Sequence, residues 1–266
     1  MNRIKQLASS SPITSGIAVT LAFIVMLILS AVLANRWPPE SQSWYIANTV
    51  GRLILMVILL AVLFRLGWLR PAGLTRPGQW QAWLIMLLAL VYVMGVSTYA
   101  MTGRLDLSFS EQALPGAAAL FILVHALFEE VVFRGLILVA LVNVWGGTTR
   151  GLVKSIVVSS LFFAGMHVIN VIGGNPLPVV LLQSVGAFFL GILFGGLVLS
   201  GRSIYPAVLL HGIANLIGNL NLGVNPAAGS SPSAWMVQSA LIIPLAVLGL
   251  YILRSSRQGS VVPVVA

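Results

Sequence analysis

Residues 115–143 read PGAAALFILVHALFEEVVFRGLILVALVN, an apolar run with two adjacent glutamates, Glu129 and Glu130, near its middle. A helix rises about 1.5 Å per residue, so roughly 20 residues cross the hydrocarbon core of a bilayer, which is about 30 Å thick. The run is therefore long enough to span a membrane. Its composition predicts a membrane helix that carries buried charge.

The rest of the chain has the same apolar character. Of its 266 residues, 59% are hydrophobic and 7% are charged, and the mean hydropathy is +1.03. This is too little polar surface for a water-soluble globule of that size, so lipid must solvate the chain. Alternating ten-residue segments typical of a β-barrel are absent. The predicted fold class is all-α, a polytopic transmembrane helix bundle of about eight spans.

Proline and glycine separate the apolar stretches from one another. Proline lacks the amide proton that a helix interior needs, and glycine tolerates turn dihedrals. The predicted spans are residues 13–34, 44–64, 80–101, 115–143, 152–172, 178–199, 204–222 and 234–253. The first stretch is interpreted as a retained span, since no clear signal-peptide cleavage site follows it. Short connections and the absence of a soluble segment predict one transmembrane domain over residues 1–266.

Basic residues are distributed unevenly between the predicted connections. Lys and Arg are enriched in the cytoplasmic loops of membrane proteins. A cytoplasmic N-terminus leaves only Arg36 and Arg104 outside, and ten basic residues inside: Arg3, Lys5, Arg65, Arg70, Arg76, Arg150, Lys154, Arg202, Arg254 and Arg257. We predict a multi-pass integral membrane protein whose N- and C-termini are both cytoplasmic. The net charge of +9 is scattered, so no basic patch for nucleic acid is expected.

Charged side chains inside the fourth span are the first functional signal. An ionisable group near the bilayer centre costs roughly 2.5–3.5 kcal/mol on insertion scales, so it faces the bundle interior or a wet cavity. Glu130 and Arg134 are four residues apart, so they share a helix face and can pair. Glu129 points about 100° away, toward a different neighbour. These residues are candidates for a functional site.

All three histidines also lie within predicted spans. His125 precedes Glu129 by one turn, and His167 lies in the fifth span. His211 shares a helix face with Asn215, so both can present polar groups to one substrate atom. A lone histidine in a span is more often a helix-to-helix hydrogen-bonding residue. Three histidines together with a buried Glu-Glu pair favour a functional site.

Motifs on three different spans resemble those of a known family. They read Glu129-Glu130-x-x-x-Arg134, Phe163-x-x-x-His167 and His211-x-x-x-Asn215. Their order, spacing and span placement are similar to those of the CAAX-prenyl-protease and bacteriocin-processing intramembrane endopeptidases, the CPBP or Abi family. The similar region covers about residues 113–222, less than half of the chain, and includes the run 201–206 before the last motif.

The resemblance implies hydrolysis of peptide bonds by an activated water. Glu129 would activate the water with help from His167, while His211 and Asn215 would stabilise the oxyanion of the tetrahedral intermediate. Glu130 and Arg134 would hold the geometry of the site. The implied substrate is a membrane-associated protein or peptide, with prenylated CAAX C-termini as one class. Nothing in the sequence identifies a prenyl pocket.

The four residues with direct roles are expected to converge on one cavity. Burying their polar groups separately in lipid would leave several unsatisfied, each at a cost of roughly 2–7 kcal/mol on apolar-transfer scales. Convergence of Glu129, His167, His211 and Asn215 is the less costly arrangement.

Zinc is the main chemical alternative to a metal-free site. Carboxylate and imidazole are suitable zinc ligands, but the chain has no His-Glu-x-x-His motif, and asparagine is an uncommon zinc ligand. The sequence therefore favours metal-independent hydrolysis, and a zinc site is kept as the alternative. The chain has no cysteine and a single aspartate, Asp106, which excludes thiolate and aspartyl-dyad chemistry. No serine lies in a nucleophile motif such as Gly-x-Ser-x-Gly.

Two other classes of function stay open. The chain could be a non-catalytic immunity or scaffold protein, or a proton-coupled transporter that uses Glu129, Glu130 and the histidines as a relay. His125 lies outside the family pattern and is interpreted as structural. Arg52, in the second span, is expected either to snorkel or to pair with a distant carboxylate, and the sequence names no partner for it.

Overall fold

A computed structural model of the chain describes residues 11–104 and 115–258, and this part contains no β-strand. Eight of its helices are long and apolar enough to cross a membrane. They are α1 (Pro12–Ala34), α2 (Gln42–Leu66), α3 (Trp80–Thr102), α4 (Gly116–Trp145), α5 (Thr149–Val171), α6 (Leu177–Gly201), α7 (Tyr205–Val224) and α8 (Pro232–Gln258). The all-helical class and the eight spans are confirmed. The largest boundary error is at the end of α8, at Gln258 against the predicted 253.

Capping groups set the ends of several helices. The Ser41 hydroxyl accepts a hydrogen bond from the Trp44 N–H at 3.2 Å, and the Thr148 hydroxyl accepts one from the Gly151 N–H at 3.0 Å. Each bond satisfies an amide that has no partner inside the helix. Gly67 ends α2 at a φ of 68°, a left-handed conformation that favours a residue without a Cβ. Local chemistry therefore explains why the sequence locates these boundaries well.

Hydrogen bonds between connections identify the two ends of the bundle. At one end the Gln79 N–H donates to the Gly201 carbonyl at 3.0 Å. At the other end the Asn225 side-chain amide donates to the Met101 carbonyl at 2.8 Å. We call the first the basal end, formed by connections 67–79, 146–148 and 202–204. The second is the apical end, formed by connections 35–41, 172–176 and 225–231. Asp106, assigned to an outer loop by the sequence, lies outside the described residues.

Helix α4 changes its geometry near the middle of its length. The stretch Val131–Leu138 is π-helical and begins directly after Glu130. From α5, the Ser159 hydroxyl donates to the Phe133 carbonyl in this stretch at 2.8 Å. A π-helical turn widens the backbone spiral and often lies at a functional site. The sequence does not predict it, because the stretch reads as one continuous apolar helix.

Close helix contacts through glycine hold α6 against α8. A Cβ added at Gly249 would lie 2.7 Å from the Leu193 Cα and 2.8 Å from the Ile192 carbonyl oxygen. These atoms are backbone, so they cannot move aside as a flexible side chain can. Small residues let helix backbones approach closely. Such close packing matters in membranes because lipid tails are as apolar as leucine side chains, so burial of apolar side chains does not by itself drive helices together.

We expect Gly249→Ala to lower the thermal stability of the detergent-solubilised protein. Its methyl group would force α8 away from α6, and overpacking of this kind costs about 1–3 kcal/mol. Gly95→Ala on α3 is the matched control, because a Cβ there meets nothing within 4 Å. The melting temperature of each variant measures the effect. Equal melting temperatures for the two variants would contradict the close α6–α8 contact.

Candidate active site

One cavity of about 1230 Å³ receives residues from all eight helices and from the apical connections. Glu129 lines it from α4, His167 from α5, and His211 and Asn215 from α7. The structure thus brings together the four residues that the sequence expects to converge. Their chemical roles stay a prediction. The remaining pair, Glu130 and Arg134, lies buried behind the cavity wall.

The buried pair forms the floor of the site. Arg134 Nη1 donates to Glu130 Oε1 at 3.0 Å, which confirms the pairing expected from the four-residue spacing. Glu130 is 0% exposed and Arg134 is 1% exposed. The guanidinium lies 4.3 Å from the centre of the Phe163 ring and 5.2 Å from that of Phe194, within the range of cation–π attraction. Two charges are therefore held in the bundle core by each other and by aromatic rings.

His211 connects this floor to the cavity. Its Nδ1 lies 2.9 Å from Glu130 Oε1. Because a carboxylate paired with arginine only accepts, Nδ1 carries a proton and donates. Its Nε2 lies 3.4 Å from Glu129 Oε2, a contact that is attractive only with a proton between the two atoms. The ring stacks on Phe194, with ring centres 5.3 Å apart. His211 thus joins the two glutamates and is fixed in orientation by one of them.

Glu129 has a second imidazole partner that the sequence interpretation missed. The sequence assigns His125 a structural role, whereas the structure places its Nε2 3.2 Å from Glu129 Oε1. His125 also lines the cavity. The one-turn spacing to Glu129 was the available signal, since residues four apart share a helix face. Both carboxylate oxygens of Glu129 are therefore in contact with imidazole nitrogens.

Arg52 determines which ring nitrogen of His125 carries the proton. Its Nε donates to His125 Nδ1 at 2.9 Å, so the ring proton must lie on Nε2, where it points at Glu129. Arg52 is buried and also donates to the Asn48 side-chain oxygen at 2.9 Å. Of the two expectations for Arg52, snorkelling is wrong. Within the described residues its direct partners are uncharged, and the carboxylate of Glu129 is reached through His125.

His167 presents an open nitrogen to the cavity. Its Nδ1 lies 2.9 Å from the Phe163 carbonyl oxygen, which can only accept, so Nδ1 carries the proton. The Nε2 atom of the neutral ring is then a hydrogen-bond acceptor. This residue begins the 3₁₀ turn His167–Val171 that ends α5. The tighter turn changes the direction of the side chains that follow along the wall of the cavity.

Asn215 contributes a side-chain amide to the cavity. Its side chain lines the cavity one turn after His211, and it makes no side-chain hydrogen bond to any other described residue. An amide offers two N–H donors and a carbonyl acceptor. Asn215 is therefore available to a ligand.

The arrangement gives limited support to a metal centre. Among residues 11–104 and 115–258, no three His, Asp, Glu or Cys side chains are placed to hold one ion. Structural and catalytic zinc sites use at least three protein ligands. For His125 or His211 to become a ligand, it would have to give up its contact with Glu129. Zinc therefore stays a question for direct measurement.

The fold and this polar cluster define a polytopic membrane protein with a candidate peptidase site. Residues 111–217 match the model of a protease family described as type II CAAX prenyl endopeptidase, Rce1-like. The match includes all six site residues expected from the sequence and confirms the family resemblance of their motifs. No curated protein and no solved structure matches the chain.

Loss of the buried carboxylate should destabilise the fold. We expect Glu130→Ala to lower the unfolding free energy by about 3–5 kcal/mol, because it leaves Arg134 as an uncompensated buried charge. Thermal unfolding in detergent measures the loss. The matched control is the double variant Glu130→Ala with Arg134→Leu, which removes the stranded charge and should recover part of the stability. A single variant as stable as the wild-type protein would show that Arg134 has sufficient compensation elsewhere.

Proposed function

We propose that this chain is an intramembrane endopeptidase that hydrolyses peptide bonds with a water activated by Glu129. The observation that supports it best is the placement of Glu129, His167, His211 and Asn215 in one cavity, although they come from three helices. Glu129 supplies a general base and His167 a second hydrogen-bond acceptor. His211 and Asn215 supply two hydrogen-bond donors. Such a set has the parts needed for attack of water on a carbonyl.

Water activation is assigned to Glu129 and His167. The open Nε2 of His167 accepts a hydrogen bond from one O–H of the water, and the Glu129 carboxylate accepts a hydrogen bond from the other. As the water oxygen attacks the peptide carbonyl carbon, its proton passes to Glu129. Glu129 then protonates the leaving amine, the C–N bond breaks, and the carboxylate is restored. The cycle consumes one water and one peptide bond, and it needs no other reactant.

Oxyanion stabilisation is assigned to His211 and Asn215. The free amide of Asn215 donates one hydrogen bond, and His211, with protons on both ring nitrogens, donates another from the Nε2–H that also faces Glu129 Oε2. Glu130 holds the ring in this orientation through Nδ1–H. Removal of one oxyanion donor in other hydrolases costs about 10²–10³ in rate.

The shape of the cavity disfavours the transporter alternative. A relay for protons must connect the two sides of the membrane. The described lining of the cavity reaches apical residues such as Gly173 and Ser230 and includes no residue of the basal connections. Beyond Glu129 toward the basal end, Phe133 and Leu141 are 0% exposed. A pocket with one mouth suits a hydrolase better than a transport path.

Glu129→Gln should abolish cleavage while leaving the fold intact. Glutamine keeps the shape of the side chain and its hydrogen-bonding reach, but it cannot take the proton of the water. His211→Ala and Asn215→Ala should lower kcat by about 10²–10³ through loss of an oxyanion donor. A peptide-cleavage screen of the purified protein in detergent, with Glu129→Gln as the matched control, measures both effects. Cleavage by Glu129→Gln at the wild-type rate would point to a contaminating peptidase or another base.

The same preparation decides the role of metal. We expect metal-depleted protein to keep its turnover, with zinc quantified in the sample. Stoichiometric zinc, with activity lost on its removal and restored on its return, would make Glu129 and the histidines candidate ligands. A wild-type protein that is folded but inactive on every peptide, with or without zinc, would favour the immunity or scaffold alternative.

His125 is proposed as a positioning residue for Glu129. His125→Leu should lower kcat with little change in KM, because Glu129 loses a donor and Arg52 loses its link to the carboxylate. His125→Gln is the rescue variant, because its amide can accept from Arg52 and donate to Glu129. The pH profile of kcat should shift in His125→Leu and return toward the wild-type profile in His125→Gln. A loss of stability with an unchanged profile in both variants would indicate a purely structural role.

A further inference from the structure

The mouth of the candidate active-site cavity lies at the apical end. Its lining includes Asn175 from connection 172–176 and Gly229 from connection 225–231. Asn35, directly after α1, and Met101, near the end of α3, also line it. Glu129 is 13 residues into α4 from Gly116 at this end, which corresponds to about 20 Å of helix. The cavity thus runs from the apical end down to the middle of the bundle.

The basal end of the bundle is closed over the site. Connection 67–79 packs against the start of α7, where the Ile204 N–H donates to the Gly73 carbonyl at 3.2 Å and the Tyr205 hydroxyl donates to the Leu74 carbonyl at 2.7 Å. Ile204 and Ala72 in this contact are 0% exposed. Backbone and apolar side chains fill this contact, and no described residue of the basal connections lines the cavity. Within residues 11–104 and 115–258, a peptide therefore has no path from this end to Glu129.

The charges at the two ends have opposite bias. Up to residue 254, the basal connections and the helix turns next to them carry seven basic residues and no acidic residue: Arg65, Arg70, Arg76, Arg150, Lys154, Arg202 and Arg254. The described part of the apical end carries Arg36, Arg104 and Glu40. Lys and Arg near span ends are retained in the cytoplasm. The closed basal end is therefore expected to be cytoplasmic and the open apical end to be outside.

The mouth has the chemistry of a site for an uncharged peptide segment. Its polar lining is mainly amides: Asn35, Asn170, Asn175, Gln183, Asn219 and Gln238. Amides can pair with the N–H and C=O groups of an extended peptide backbone. On the α1 side the lining is apolar, and it includes the exposed side chains of Ile28 and Val32. A segment at the boundary between lipid and water would meet amides on one side and apolar side chains on the other.

We infer that the substrate reaches Glu129 from the non-cytoplasmic side, as an uncharged segment of an exported or membrane-anchored polypeptide at the outer surface of the membrane. This inference rests on the proposed peptidase function. It departs from a cytoplasmic prenylated C-terminus, which would meet the closed basal end. For cleavage the segment must extend down the cavity to Glu129, about 20 Å of helix below the apical end, with apolar residues on both sides of the scissile bond.

Thiol labelling tests the orientation of the mouth independently of activity. The chain has no cysteine, so Asn175→Cys and Gly229→Cys each place a single thiol at the mouth. Arg150→Cys, at the start of α5 on the basal side, is the matched control and is also exposed. With a membrane-impermeant maleimide, the mouth thiols should react in right-side-out vesicles and the Arg150→Cys thiol in inverted vesicles. The reverse pattern would overturn the inference whatever the activity of the protein.

Sided cleavage tests the route of the substrate. The probe is a membrane-impermeant, internally quenched peptide with uncharged apolar residues around the scissile bond, chosen from those that the detergent-solubilised protein cleaves. Cleavage should occur in right-side-out vesicles and be absent in inverted vesicles until detergent is added. Glu129→Gln in both preparations corrects for host peptidases. Coupling a bulky maleimide to Asn175→Cys should also lower the rate in detergent, because it obstructs the mouth.

The outcomes separate the inference from the proposed function. Cleavage in detergent but only from the inverted side would refute the outer route and leave the peptidase function standing. Absence of Glu129-dependent cleavage in detergent would refute the peptidase function, and with it the assignment of a peptide substrate. In that case the labelling result still decides which face of the membrane the cavity opens to.

Discussion

The ion pair between Glu130 and Arg134 in the bundle core is the constraint on which the site depends. Neither charge can be hydrated by lipid, so each must be compensated inside the protein. A single carboxylate oxygen, Glu130 Oε1, serves both the guanidinium and His211 Nδ1. The other oxygen, Oε2, is buried and has no hydrogen-bond partner among the described residues. One buried carboxylate thus neutralises an arginine and orients the imidazole that faces Glu129.

Each of the three histidines presents a defined donor or acceptor to the site, because a neighbouring group determines where its ring proton lies. Arg52 donates to His125, which leaves its other nitrogen to donate to Glu129. The Phe163 carbonyl accepts a hydrogen bond from His167 Nδ1–H, which leaves Nε2 as an acceptor facing the cavity. Glu130 accepts a hydrogen bond from His211 Nδ1–H. Groups fixed in this way need little reorganisation when charge develops on a bound substrate, which is how preorganised sites stabilise a transition state.

Close helix packing makes this polar site compatible with a membrane fold. At Gly191 on α6, an added Cβ would lie 3.2 Å from Arg134 Nη2 and 3.0 Å from the Ser160 side chain, so the absence of a side chain makes room for the guanidinium. The π-helical stretch of α4 begins directly after Glu130 and contains Arg134. Backbone adjustments of this kind allow charged groups to be enclosed without an empty space around them.

The resemblance of its motifs to a known family pointed to six candidate site residues, and the sequence by itself determined the helical class, the eight spans and the Glu130–Arg134 pairing. These properties follow from local quantities: the apolar length of each stretch, the helical period, and the cost of charge in lipid. Only the tertiary structure decided that Arg52 contacts His125, since the two are 73 residues apart and no local period relates them. It also decided the π-helical stretch and the end at which the cavity opens. Both depend on how distant helices pack, and a chain of uniformly apolar spans carries no pattern that specifies which faces will meet.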